Sequence, residues 1–155
     1  MKNDPPLPVS PLDTHLGYWL RFVSNHVSYA FTAKLKARDV TPAEWVVLRQ
    51  LYDEAAVRPS ALAERIGLTR GAVSKLADRL EAKGLARRTS DAEDGRAHTL
   101  ALTLRGRALV PKLAALADRN DGEFFGHLAP AERLALERLL KEIVRRHDLK
   151  ALPLE

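Results

Sequence analysis

Two short amphipathic segments separated by three residues constrain the fold of this chain more than any other feature. Pro59 can open a helix that runs to Ile66, and Gly67 is placed to end it. Thr69 can cap a second helix, which Gly84 closes. Two short helices joined by so brief a turn have the spacing of a helix-turn-helix, which presents its second helix on the surface.

The second helix has one apolar and one polar face, because successive residues are turned by about 100°. The apolar face carries Val73, Leu76, Ala77 and Leu80. The polar face carries Gly71, Ser74, Lys75, Asp78 and Arg79, with Arg70 in the first turn. A small residue, a hydroxyl and several cations suit a DNA major groove. An ordinary solvated face is the alternative, and Asp78 suits DNA only if it pairs with Lys75 or Arg79 or turns away from phosphate.

A β-hairpin with a long tip is predicted directly after this helix. Residues 85–89 and 99–103 read as short extended segments, and the polar stretch between them contains the turn-forming pair Asp94-Gly95. Arg87 and Arg88 flank the base of the hairpin, whereas Arg96 lies at its tip. Asp94 can hold the Arg96 guanidinium through a charge-assisted hydrogen bond. An arginine held on a thin loop suits a minor groove, and an exposed acidic turn is the alternative.

Longer helices are predicted on both sides of this segment. Apolar residues at steps of three and four indicate one helix from Leu12 to about Lys36, longer than a small domain needs for its own core. Thr41 caps a further helix that ends near Glu54, and Thr103 caps another in which Pro111 should cause a local kink or restriction. A last helix begins at Pro130 with an apolar stripe of its own.

These elements predict a mainly α-helical fold with a small β-hairpin wing. We assign residues 1–11, which contain four prolines, to an extended N-terminal arm. Residues 41–103 form the winged helix-turn-helix domain, and residues 12–40 with 104–155 form a helical dimerisation region. The formal net charge of +5 is compatible with a nucleic-acid partner but does not establish one.

Several functional classes are disfavoured by composition. The 155-residue sequence lacks cysteine, which excludes disulfides and thiolate metal sites, and it has no apolar run long enough to span a bilayer. No phosphate-binding glycine loop or nucleophile motif is visible, so we predict neither an enzyme nor a bound cofactor. His15 and His26 share a helix face but lie roughly 16 Å apart along its axis, so one helix cannot use both to bind a metal ion. We therefore predict no metal site, and a metal shared by two subunits of a dimer is the alternative. Because no apolar run is long enough to span a bilayer, we also predict a cytoplasmic protein.

Four stretches of the sequence match a known pattern, and they are PSALAERIGLT at 59–69, RLEAKGLARR at 79–88, DAEDGRA at 91–97 and LTLRGRA at 102–108. Together they resemble the MarR (multiple antibiotic resistance regulator) family of winged helix-turn-helix transcriptional regulators. Two positions depart from the family pattern. Gly95 stands where an Arg is frequent, which removes one wing cation, and Ala129 stands where a Ser or Thr cap is common. Because Ala129 lacks a capping side chain, we expect the first turn of the last helix to be less stable.

The resemblance implies a cytoplasmic homodimer whose first and last two helices interlock. It implies that Arg70, Ser74 and Lys75 meet the major groove of double-stranded DNA and that Arg96 enters the minor groove. The complete set of predicted DNA-contacting residues is Ser60, Thr69, Arg70, Gly71, Ser74, Lys75, Arg79, Arg87, Arg88, Asp94 and Arg96. Two-fold symmetry then predicts a pseudo-palindromic operator, at which the protein usually represses.

A pocket for a small, possibly phenolic anion is predicted between the dimer core and the DNA-binding lobe, where family ligands often bind. The candidate residues are Trp19, Arg21, His26 and Trp45. Rings at helical spacing are more commonly part of a core, so this alternative stays open. A non-specific DNA-coating protein is the alternative function, and it differs from a regulator in lacking a preferred site.

Overall fold

The chain folds as a mainly helical protein that carries one short antiparallel hairpin, which confirms the predicted fold class. The computed structural model describes residues 6–90 and 98–150. The elements are α1 (Leu16–Lys36), α2 (Pro42–Tyr52), α3 (Pro59–Ile66), α4 (Arg70–Ala82), β1 (Ala86–Ser90), β2 (His98–Leu102), α5 (Leu104–Phe125) and α6 (Pro130–Arg146).

The first helix begins later than its apolar spacing predicts. Residues Leu12–Thr14 form a separate 3-10 turn, in which the backbone N–H and the hydroxyl of Thr14 both donate to the Pro11 carbonyl. His15 then has extended backbone angles, so α1 starts only at Leu16. The predicted apolar stripe that begins at Leu12 is therefore interrupted at His15, where the backbone is extended.

The core of the protein lies between α2, α3, α4, the hairpin and the first half of α5. Its largest fully buried apolar side chains are Leu35, Leu48, Leu51, Leu62, Leu80, Leu100 and Leu113. Since only Leu35 of this set belongs to α1, the chain builds its core mainly from residues 40–113.

A buried carboxylate fastens the start of α2 to the end of α4. The Thr41 hydroxyl accepts the Glu44 N–H, and Glu44 Oε2 accepts the Thr41 N–H, as in a capping box. Lys83, which ends α4, donates to the same Oε2 at 2.9 Å and to the Asp39 carbonyl at 2.6 Å. Glu44 is only 1% exposed, so its pairing with Lys83 offsets the cost of burying its charge.

Helix α5 passes against the base of the hairpin at Gly106. A Cβ added at this glycine would lie 1.9 Å from the Leu85 carbonyl oxygen, which itself accepts the Thr103 N–H. Thr103 caps α5 by accepting the Gly106 N–H at 3.0 Å, and its hydroxyl donates to the Gly84 carbonyl at 2.7 Å. The helix continues past Pro111, which is exposed.

A polar contact ties the far half of α5 to α1. Asn120, 4% exposed, donates to the Val27 carbonyl and accepts from Lys34 Nζ at 3.0 Å. Lys34 also forms an ion pair with Glu123 at 2.7 Å. These contacts hold the two long helices together in a region where few apolar side chains are buried.

Helix α6 and the first half of α1 present apolar side chains that the described parts of the chain leave uncovered. None of the residues of α6 is buried against residues 6–90 and 98–150. The exposed apolar residues of the two helices include Leu16, Trp19, Leu20, Phe22, Val23, Leu134, Leu136, Leu139, Leu140, Ile143 and Val144. As predicted, Ala129 supplies no side-chain cap to α6, although Glu132 accepts the Ala129 N–H at 2.8 Å.

Candidate nucleic-acid interface

The turn between α3 and α4 is fixed by local hydrogen bonds. Gly67 has a φ of 69°, a left-handed conformation that glycine adopts without the steric cost of a Cβ. The Leu68 N–H returns to the Ala63 carbonyl at 3.0 Å, and the Thr69 hydroxyl accepts the Ala72 N–H at 3.1 Å. The end of α3 and the start of α4 are therefore both closed within this turn, as the sequence predicts.

Helix α4 has the two faces that its periodicity predicts. Its inner residues are at most 4% exposed, and they are Val73, Leu76, Ala77 and Leu80. All the predicted polar-face residues are exposed, and they are Arg70, Gly71, Ser74, Lys75, Asp78 and Arg79. A Cβ at Gly71 would meet no atom within 4 Å, so this position leaves room for close approach of a partner.

The cations of this exposed face are available for a partner. Within the described residues, the side chains of Arg70, Lys75 and Arg79 form no hydrogen bond or ion pair. None of the described residues therefore neutralises their charges, and guanidinium and ammonium groups of this kind bind phosphates and base edges.

Arg88 differs from these three cations because it is held by α4 itself. Its guanidinium pairs with Asp78 at 2.8 Å and with Glu81, and it donates to the Ser74 carbonyl at 3.1 Å. Its backbone N–H also donates to Glu81. Partial burial lowers the pKa of Arg88, but the hydrogen bonds and charges of Asp78 and Glu81 outweigh it and raise the pKa above its ordinary value.

The structure decides among the alternatives that the sequence left open for Asp78. Asp78 pairs with Arg88 rather than with Lys75 or Arg79. The reason is tertiary, since β1 brings Arg88 back beside α4, ten residues further along the chain. Arg88 thus joins the wing to α4, and Lys75 and Arg79 pair with none of the residues in 6–90 and 98–150.

The wing is an antiparallel pair in which Ala86 faces Leu102 and Ser90 faces His98. Strand β1 begins one residue later than predicted, because the Leu85 N–H bonds back to the Leu80 carbonyl at the end of α4. Strand β2 ends one residue earlier, because Thr103 caps α5. Arg87 is exposed on β1. Asp94 and Arg96 lie outside the described residues, so their proposed roles rest on the sequence alone.

Sequence reasoning missed a third extended segment beside the wing. Val57 exchanges both backbone hydrogen bonds with Leu100, at 2.9 and 2.8 Å, on the side of β2 that β1 leaves free. A single valine between a turn and the start of α3 carries no period-2 signal, so only its β-branched side chain hinted at an extended conformation. This bridge anchors the hairpin to the loop between α2 and α3.

The four candidate ligand residues are not gathered within one chain. Trp19 and His26 lie along α1 beside Tyr18 and Phe22, and the Trp19 indole N–H donates to the Asp13 carbonyl at 2.8 Å. Trp45 instead packs edge-on against Phe31, with ring centroids 6.5 Å apart. Phe31 follows Trp19 by twelve residues, or roughly 18 Å of helix. Arg21 is exposed on α1.

Two further observations concern the described part of the chain. No group of three His, Asp or Glu side chains within it is arranged to hold a metal ion. Among the same residues, no helix combines the length and the apolarity needed to cross a bilayer.

The second helix of the helix-turn-helix, α4, has an exposed polar face, and Arg88 connects the wing to this helix. Together these features define a winged helix-turn-helix DNA-binding protein. The sequence model of the MarR family matches residues 38–97. The transcriptional regulator HosA of Escherichia coli O157:H7 is 28% identical over 106 residues, which cover 68% of this chain and 78% of HosA.

Solved structures agree with this class over most of the chain. BpsR of Bordetella bronchiseptica superposes on this chain with a TM-score of 0.78. Its structure is described as a mechanism for the regulation of its DNA binding by 6-hydroxynicotinic acid. It is 28% identical, and the match covers 88% of this chain and 97% of BpsR. A MarR mutant of E. coli complexed with operator DNA gives a TM-score of 0.76 at 27% identity, covering 83% and 93% of the two chains.

Over residues 38–97 the chain is similar to the MarR family, and its relatives and solved neighbours are transcriptional regulators, one of them solved with operator DNA. This confirms the resemblance found in the sequence.

Proposed function

We propose that this protein is a homodimeric, cytoplasmic repressor that binds a pseudo-palindromic operator through α4 and the wing and is released by a small aromatic anion. The observation that carries the proposal is the exposed face of α4, whose three cations have no partner within the described chain. Arg70 lies in the first turn of the helix, Lys75 near its middle and Arg79 in its last turn. This spread of charge suits a helix lying in a major groove.

The other proposed contacts surround this face. Ser60 and Thr69 are exposed near the starts of α3 and α4, where hydroxyls and backbone N–H groups suit phosphate oxygens. Arg87 contributes from the wing base, and Arg96, held by Asp94, from the wing tip. Arg88 acts by holding β1 against α4, so its contribution is to fix the position of the wing.

The uncovered apolar faces of α1 and α6 support the homodimer. Exposed apolar helix faces of this kind mark a protein interface. A second copy of the chain fits it because two-fold association covers the same face on both subunits and sets two α4 helices on one DNA duplex. Residues 12–40 and 104–155 therefore form the dimerisation region, and residues 41–103 form the DNA-binding domain.

The ligand response is supported by relatives and by the placement of aromatic residues. BpsR is described as regulated by 6-hydroxynicotinic acid, an aromatic anion. Trp19, Arg21 and His26 lie on the uncovered part of α1, so a partner subunit can bring them beside Trp45 of the other lobe. A ligand that binds one lobe arrangement better than the other shifts the population away from the DNA-competent spacing.

The decisive experiment is to sequence the DNA retained by the purified protein and to measure its affinity for the recovered site and for a scrambled site. A regulator should prefer the recovered site by roughly 1,000-fold or more at physiological salt. Lys75→Ala should weaken both complexes and lower the salt slope by about one, whereas Lys36→Ala on α1 should leave both unchanged. Equal affinity for the two sites would identify a non-specific DNA-coating protein instead.

The ligand is tested separately by following tryptophan fluorescence during titration with 6-hydroxynicotinic acid and 4-hydroxybenzoic acid. We expect a saturable change that is reduced in Trp19→Phe or Trp45→Phe, together with release of operator DNA. If neither acid alters fluorescence while DNA binding is intact, the proposed ligand class is wrong.

A further inference from the structure

The side chain of Lys83 connects the C-terminal end of α4 to the end of α1. Lys83 Nζ donates to the Asp39 carbonyl at 2.6 Å and lies 3.6 Å from the Asp39 carboxylate. It also donates, at 2.9 Å, to the buried Glu44 carboxylate at the start of α2. Within residues 6–90 and 98–150, no other hydrogen bond or ion pair joins residues 70–84 to residues 12–41. In this part of the chain, Lys83 therefore makes the polar connection between α4 and α1.

The turn that Lys83 contacts after α1 has a well-defined backbone. Asp39 has a φ of 55°, in the left-handed region, and its N–H donates to the Lys36 carbonyl. The Val40 N–H returns to the Leu35 carbonyl at 3.3 Å. Together with the left-handed residue, these two hydrogen bonds form a Schellman end of the helix. Leu35 and Val40 are both buried, so the Asp39 carbonyl is a rigid point of attachment for α4.

The buried carboxylate keeps Lys83 in this position. Glu44 Oε1 is buried and has no hydrogen-bond partner among the described residues, whereas Oε2 accepts from Lys83 and from the Thr41 N–H. An unpaired carboxylate at this depth is costly, so movement of Lys83 away from Glu44 is disfavoured. The Lys83 carbonyl in turn accepts from Arg105 of α5 at 3.1 Å. The end of α4 is thereby linked to α1, α2 and α5.

Apolar packing between α1 and the DNA-binding lobe is limited. Of the residues of α1, Leu35 is buried in the core and Phe31 packs against it. Apolar contacts are non-directional, so this small contact does little to oppose rotation of the lobe about the end of α1. Hydrogen bonds depend on angle as well as distance, and those of Lys83 therefore oppose that rotation.

We infer that Lys83 is a positioning residue that determines which half-site spacing the dimer accepts on DNA. The inference rests on the proposed function, in which two subunits place two α4 helices on one duplex. Each base pair between the half-sites turns the second by about 35° and moves it by about 3.4 Å. A stiff link between α4 and α1 therefore admits one spacing, whereas a loosened link tolerates several.

The test is a set of anisotropy titrations of the full-length protein. The probes are the DNA site recovered from the purified protein, the same site lengthened or shortened by one base pair at its centre, and a single half-site. The wild type should lose about tenfold or more in affinity when the spacing changes, because the two half-sites can no longer be engaged together without strain. Lys83→Met keeps the apolar stem but removes the hydrogen bonds. Its loss should be less than about threefold, with half-site affinity unchanged within about twofold.

Three further variants separate the link from its side effects. Lys83→Met leaves the Glu44 carboxylate buried without its cation, so the double variant Glu44→Gln and Lys83→Met removes that charge as well and should show the same relaxed spacing. Lys83→Arg retains a cationic donor and should restore the wild-type preference. Lys36→Met, exposed in the last turn of α1, is the matched control for the lost charge and should also keep that preference.

The possible results separate failure of the inference from failure of the proposed function. If the wild type prefers one spacing and the double variant retains that preference, the role of Lys83 is wrong and the proposed function stands. If the wild type binds all spacings equally, both are wrong, because a dimer on a pseudo-palindromic operator has a preferred spacing. Loss of half-site affinity in the double variant would show that Lys83 maintains the exposed face of α4 itself, which also overturns the inference.

Discussion

Helices α4 and α6 have the same kind of apolar stripe but different surroundings. Val73, Leu76 and Leu80 of α4 are at most 4% exposed, whereas Leu139 and Ile143 of α6 are 52% and 44% exposed. The spacing of apolar residues is alike because it reflects only the period of the helix. The comparison shows that periodicity tells which residues share a face, whereas the rest of the fold determines what covers that face.

The prediction with the largest expected effect concerns the surface that covers the apolar face of α6. The double substitution Leu140→Glu and Ile143→Glu places charges in the apolar face and should convert the dimer to monomers in sedimentation experiments. Operator affinity should fall about 1,000-fold, because two linked half-site contacts become independent. Lys141→Glu, on the same helix but outside the apolar stripe, is the control and should stay dimeric. A double variant that remains dimeric would show that another surface forms the interface.

The next largest effect concerns the DNA-binding lobe, whose core the chain completes by itself. Gly106→Ala would force a methyl group into the Leu85 carbonyl and should lower the free energy of unfolding by about 3 kcal/mol in urea titrations. Gly122→Ala on the same helix is the control. A Cβ there meets no atom within 4 Å, so stability should be unchanged or higher by about 0.5–1 kcal/mol. Equal effects at the two glycines would contradict the close approach of α5 to the wing base.

A smaller effect separates the two arginines at the wing base. Arg88→Ala removes the partner of Asp78 and Glu81 and should lower the free energy of unfolding by about 1.5 kcal/mol. Arg87→Ala should change stability by less than about 0.5 kcal/mol, since Arg87 is exposed, but should lower the salt slope of DNA binding. The reverse order of stability effects would exclude Arg88 as the link between the wing and α4.

The smallest effect concerns the polar contact between α1 and α5. Hydrogen bonds from Lys34 and Arg119 lower the pKa of Glu123 below its ordinary value. The folded state thus gains stability above the ordinary carboxyl pKa, and this gain is lost as the pH falls through the folded-state pKa. Glu123→Gln should lower the melting temperature by about 1–2 °C at neutral pH, with a difference that closes in acid. Asp118→Asn, exposed on the same helix, is the control, and a difference that widened in acid would contradict the assignment.

Much of the candidate DNA interface could be predicted from the sequence because it depends on local rules. Gly67 and Thr69 close the turn through contacts within five residues, and the two faces of α4 follow from helical geometry. The pairing of Asp78 with Arg88 and the bridge between Val57 and Leu100 could not be predicted. Both join segments that are adjacent only after the hairpin has folded against α4.

The sequence by itself determined the helix-turn-helix, the presence of the hairpin and the amphipathic character of the long helices. Tertiary structure decided which cations of α4 are left without a partner among the described residues and which two carboxylates hold Arg88. The physical reason is the separation along the chain over which each kind of interaction acts. Hydrogen-bonded turns and helical periodicity act within a few residues, whereas the pairing of charges depends on distances that only the packing of remote elements sets.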